Sequence, residues 1–170
     1  RGLWMLREDR LVPVTPLPVS GYSGVQAIAH DGDGVLWVSL NTPGIHRLAN
    51  GRWQQLRGRK GLPPGSSPLV MLPTRDGAVW MGYARDQIAI LRGDEIRALR
   101  SEDGLAVGNV TALVEGRDGV WIGGERGLAR FTQGRVQSLH LPADSPFRGI
   151  TGIIATRAGD LWLNGARGVL

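Results

Sequence analysis

The chain has no cysteine, a single lysine (Lys60), two phenylalanines and two tyrosines among its 170 residues. Without cysteine there can be neither a disulfide framework nor a thiolate metal site, and the redox compartment stays open. No run approaches the roughly 20 apolar residues of a membrane helix, and no secretory leader is recognisable; in a piece of a longer protein these absences say nothing about the parent. Helical periodicity is missing throughout. Catalytic patterns are missing as well: His30, His46 and His140 lie at unrelated places, there is no Ser or Cys nucleophile motif, and the five glutamates share no pairing pattern. The net charge of +5 is modest and the arginines are scattered, which argues against a nucleic-acid surface. Nineteen arginines against one lysine read as a GC-rich coding bias rather than a function.

What is abundant is glycine and, at a fixed spacing, tryptophan. Twenty-six Gly and ten Pro suit many short strands joined by tight turns, and 42% apolar residues, regularly placed, exclude disorder. Trp37, Trp80, Trp121 and Trp162 recur at intervals of 43, 41 and 41 residues. A period near 40 signals a repeat array. In the third unit, residues 110–113, 117–123, 126–131 and 135–139 are four short alternating segments punctuated by Gly or Asp, and the first two units match them. Alternation of period two with turn signals every 8 to 12 residues predicts antiparallel strands. Four strands per unit, repeated radially, predict an all-β fold made of β-propeller blades.

The predicted organisation is one domain of about four blades: a half-blade over 1–24, whole blades over 25–68, 69–109 and 110–149, and a half-blade over 150–170. The run Arg1-Gly2-Leu3-Trp4-Met5-Leu6 aligns with Arg126-Gly127-Leu128-Ala129-Arg130-Phe131, so the chain opens on a third strand and stops as another third strand begins. The opening hairpin could complete the blade begun by Ile150. The alternative, favoured because no initiator Met is present, is an arc of a larger ring that exposes an apolar blade face at each end.

The run Glu102-Asp103-Gly104-Leu105, then Asn109-Val110-Thr111-Ala112-Leu113-Val114-Glu115, then Arg117-Asp118-Gly119-Val120-Trp121-Ile122-Gly123-Gly124, then Arg126-Gly127-Leu128-Ala129-Arg130-Phe131 resembles the two-component regulator propeller repeat. That family reads loosely DGL, VxxIxED, DGxLWIGT, xGLxRF. The other units depart from it: Gln87 stands in place of a glycine, and Gly124, Tyr83 and Leu40 replace the usual Thr after the second strand. The resemblance implies the periplasmic sensor region of a membrane histidine kinase, hybrid two-component protein or diguanylate cyclase, with the output in missing segments. A protein-interaction scaffold is the alternative function, and a propeller lyase a third. The implied partner is a small molecule or oligosaccharide, with self-association or a dimer in the parent, no nucleic acid, no cofactor, and membrane contact only through missing segments.

Site residues follow from position in the blade. The motif tryptophans are expected between blades, because burying an indole contributes several kcal/mol. Trp53, on an outer strand, is the surface-aromatic candidate. The Asp-Gly pairs are read as hairpin turns, since no copy has the ligand spacing of a calcium loop. Arg85, Arg126 and Arg167, with Arg1, fall near the turn before the third strand and would form a partial cationic collar, with Arg148 and Asn109 nearer the channel. Arginine suits bidentate contact with an anionic ligand such as an acidic oligosaccharide. The loops over 58–68 and 141–149 vary most and are the main predicted site region.

Overall fold

The computed structural model describes residues 3–14, 24–41, 44–139, 141, 149–165 and 168–169. The strands come in groups that follow the repeat. The first blade is β3 (Val25–His30), β4 (Leu36–Leu40), β5 (Ile45–Ala49) and β6 (Arg52–Leu56). The second is β7 (Val70–Pro73), β8 (Val79–Tyr83), β9 (Gln87–Arg92) and β10 (Glu95–Leu99). The third is β11 (Val110–Glu115), β12 (Val120–Gly124), β13 (Gly127–Thr132) and β14 (Arg135–Leu139). Each of these is a four-stranded antiparallel meander in chain order. They are flanked by a two-stranded hairpin, β1 (Trp4–Arg7) with β2 (Arg10–Pro13), and by a three-stranded sheet, β15 (Ile150–Ala155), β16 (Leu161–Gly165) and β17 (Gly168–Val169). Among the described residues β1 and β2 pair only with each other and do not extend the last sheet. No helix among the described residues is long and apolar enough to cross a membrane.

The first strands of successive sheets lie against one another, β3 on β7, β7 on β11 and β11 on β15, so they form the inner wall. Antiparallel four-stranded sheets set side by side on their first strands are propeller blades. Between them the alternation of each strand supplies two apolar faces. Trp37 and Ile45 of the first blade pack with Met71, Val79 and Met81 of the second. Trp80, Ile88 and Ile90 of the second pack with Val110, Val120 and Ile122 of the third, and Trp80 meets Phe131 edge-on at 5.0 Å.

Close approach of the inner strands requires glycine on the second strand. A Cβ on Gly82 would stand 2.5 Å from Val110 Cγ1, and one on Gly123 would stand 2.6 Å from Ile150 Cγ2. At the matching place in the first blade, Ser39 fits by donating its hydroxyl to the Pro68 carbonyl at 2.7 Å. The first strands of the first, third and fourth sheets also carry a register shift near their start. In the third blade the displaced Thr111 hydroxyl donates to the Ile150 carbonyl of the next sheet, joining neighbouring inner strands.

Candidate ligand-binding site

An antiparallel meander puts the loops leading into first strands, together with the turns between second and third strands, on one side; we call it the loop face. The other two turns of each blade lie on the opposite, hairpin face. On the hairpin face the Asp-Gly motifs act as turns. Asp31 Oδ1 accepts from the backbone N–H of Asp33 and Val35 at 3.1 and 2.9 Å, and its Oδ2 accepts from the Trp37 indole at 2.8 Å. Asp76 is hydrogen-bonded by the Thr74 hydroxyl at 2.7 Å and by Arg92 at 2.5 Å, and these contacts hold its carboxyl below the usual range. Among the described residues no group of three or more His, Cys, Asp or Glu side chains could hold a metal ion.

The loop face carries the largest change between blades, and the loop over 58–68 shows why. It leaves β6 and is pressed onto the second blade: a Cβ on Gly61, at φ 98°, would lie 2.7 Å from Ile96 Cγ2. Arg59 pairs with Asp94 of the β9–β10 turn at 2.6 Å, and the Gly44 N–H donates to the Ser67 hydroxyl at 3.1 Å. Tied at both ends, the loop arches over an open cavity of about 690 Å³. Its walls include Ile45, Leu56, Leu62 and Pro63, the cations Arg57, Arg59 and Lys60, and Tyr83 at the end of β8; among the described residues no carboxylate lines it. Tyr83 is only 1% exposed, its hydroxyl meets the Met81 sulfur at 3.9 Å, and burial pushes its phenol well above the ordinary value. Beside the cavity residue Ile45 lies His46, 1% exposed with an Nδ1 that finds no partner. Burial, and then the Arg57 charge, lower its pKa.

Three of the sequence-predicted residues meet at the second-to-third blade junction of the same face. The β8–β9 turn holds Arg85 and Asp86 at positive φ, 58° and 55°. The Arg85 N–H donates to Asn109 Oδ1 at 3.1 Å, and Asn109 Nδ2 donates to Glu125 at 2.8 Å. Asp86 is buried, accepts from the Gly108 N–H at 2.6 Å and forms an ion pair with Arg126 of the next blade. Arg85, Asn109 and Arg126 are thus brought together around two acids, and Arg126 is matched by Asp86. Trp53 lies apart from them, half-buried on β6 opposite Leu48. Arg148 and Arg167, with Arg1 and the tip of the 141–149 loop, lie outside the described residues. The repeat alignment puts Asp86 at the collar position beside Arg85 without giving it a role, and marks Tyr83 only as a departure from the repeat. Their common signal was a change of residue type at a fixed repeat position.

A second cavity, of about 470 Å³, opens on the hairpin face between the second and third blades over Trp80 and Phe131. Its charges are largely matched: Arg75 with Glu115 at 3.2 Å and Arg92 with Asp76 at 2.5 Å.

No protein-family model matches the sequence, and no curated protein matches it. Solved structures do match. The extracellular domain assigned to the hybrid two-component system BT3049 of B. thetaiotaomicron superposes with a TM-score of 0.71 at 13% identity, over 85% of this chain and 21% of that one. The corresponding domain of BT4673 from the same organism gives 0.72 at 17%, over 99% and 24%. A streptogramin B lyase gives 0.67 at 17%, over 84% and 48%. The chain is an all-β propeller segment. At these identities the likeness is one of fold, and the chain spans a quarter or less of the two extracellular domains and about half of the lyase.

Proposed function

We propose that this propeller segment is a ligand-input region of an extracytoplasmic sensor, attached through the rest of its chain to a membrane and to a two-component or related signalling output. One observation carries the reading. Repeats in phase with the two-component regulator propeller motif fold into the same blade architecture as two extracellular domains assigned to hybrid two-component systems, along 85% and 99% of the chain. In this reading the segment binds and does not catalyse, although the lyase shares the fold, because fold alone does not carry function. The loop face is the recognition surface: its loops sit on a rigid scaffold and differ in length and chemistry between blades. Ligand would act by binding one arrangement of the sensor more tightly than another, since equal affinity shifts no equilibrium.

The test is the size and compartment of the native protein, read by fractionating its source cells and probing with an antibody against these blades. A large membrane-associated band, cut by protease added outside the inner membrane, is the expected result. A soluble cytoplasmic band overturns the sensor reading and brings the interaction scaffold forward.

A further inference from the structure

We propose that the cavity beneath the 58–68 loop is a binding site for a small organic carboxylate carrying an apolar body. The inference goes beyond the sensor reading and holds for a receptor or a scaffold alike.

Charge is the first ground. Among the described residues three cations and no carboxylate line the cavity. Arg59 shares its charge with Asp94, which stands fully in solvent, but among the described residues Arg57 and Lys60 have no ion-pair partner. The field of Arg57 is felt by the His46 imidazole, as expected of a cation with no neighbouring anion to cancel it. The other two polar clusters differ. On the hairpin face Arg75 and Arg92 each have a carboxylate, and at the blade junction Arg126 has Asp86.

Hydrogen bonding is the second ground. Arg57 and Lys60 are donors only, and an oxyanion accepts from both. Tyr83 lines the cavity with its hydroxyl turned to the buried Met81 sulfur at 3.9 Å. Apolar surface and size supply the rest. Ile45, Leu56, Leu62 and Pro63 give the ligand a dry wall, and about 690 Å³ falls within the range of small-molecule pockets. A bare inorganic anion would leave that wall unused, and a neutral apolar molecule would leave the cations unpaired.

The experiment titrates the chain with 4-phenylbutyrate and with its neutral amide, 4-phenylbutanamide, by calorimetry or protein NMR. The carboxylate is expected to bind saturably, on the order of tenfold more tightly than the amide, and to weaken as salt is raised. The double variant Arg57→Gln/Lys60→Gln, both positions being exposed, should fold normally by circular dichroism and lose the preference. Equal affinity for the two probes, no binding of either up to about 10 mM, or a preference that survives in the folded double variant would each overturn the assignment. None of these outcomes bears on cellular compartment, so this site and the sensor reading can fail separately.

Discussion

His46 is the residue through which acid should weaken the fold. It is sealed on β5, its Nδ1 has no partner, and burial together with the Arg57 cation lowers its pKa from the ordinary 6.5. As pH falls below 6.5 the unfolded chain takes up a proton that the folded chain still refuses. Stability contributed by this group is therefore complete above the unfolded pKa and is lost as pH falls towards the folded one. Urea denaturation at about pH 7 and about pH 5 is expected to show a steeper loss for the native chain than for His46→Gln. Arg57→Gln should lie between them, because it removes the smaller of the two causes. Identical losses for all three chains would mean that His46 is protonated as readily folded as unfolded. At this scale the sequence was half legible. Arg85, Asn109 and Arg126 were picked out by their place in the repeat, and the structure gathers them. Asp86, which joins Arg126 across 40 residues, was not seen as their anchor. Repeat phase aligns equivalent residues; it does not reveal which non-equivalent residues of adjacent blades touch.

At the scale of the element, the spacing between blades is set by the second strand. Gly82 on β8 faces Val110 and Val70 with no room for a methyl group, the Cβ position lying 2.5 and 2.9 Å from their Cγ1 atoms. Gly152 on β15 is the natural control, since its nearest neighbour would be 3.7 Å away. Gly82→Ala is expected to cost about 1–3 kcal/mol through overpacking, whereas Gly152→Ala should fall within about 0.5 kcal/mol of neutral. Urea midpoints measured on both variants decide this, and a neutral Gly82→Ala would show that the inner strands can slide apart freely. The strands themselves were legible because period-two alternation and the Asp-Gly turns are local signals. Their lengths were less so: the first strand of the third unit reads as residues 110–113 but pairs as far as Glu115 opposite Val120. Pairing with β12 holds those last residues extended, and local pattern carries no trace of a partner strand. The 58–68 loop stood out by its prolines and glycines. Its cavity did not, because the far wall is Tyr83, on the next blade.

Across the whole molecule the four motif tryptophans occupy a gradient that one expectation, burial between blades, could not resolve. Trp37 and Trp80 are each 4% exposed, Trp121 is half-buried, and Trp162 is 59% exposed. Nothing in the local sequence separates them; what differs is whether a further sheet covers the face on which the indole lies. Ile154 shares the exposure of Trp162, and β15 and β16 place the two opposite each other. At the other end Trp4, Met5, Leu6 and Leu11 of the β1–β2 hairpin are all exposed, with Ile28 of β3. Exposed apolar surface of this kind drives association in water. The mass of this chain by light scattering is therefore expected to rise with concentration. Ile154→Ser combined with Trp162→Ser should shift it towards the monomer, with little loss of stability, because neither side chain is buried in the single chain. The hairpin end gives the complementary control: Trp4→Ser with Leu6→Ser should have the same sign if the two ends meet, and no effect if the β15–β16 face meets its own copy. A mass that stays monomeric at every concentration would show that these faces do not attract one another strongly enough to pair, and would leave their coverage to a partner of different chemistry.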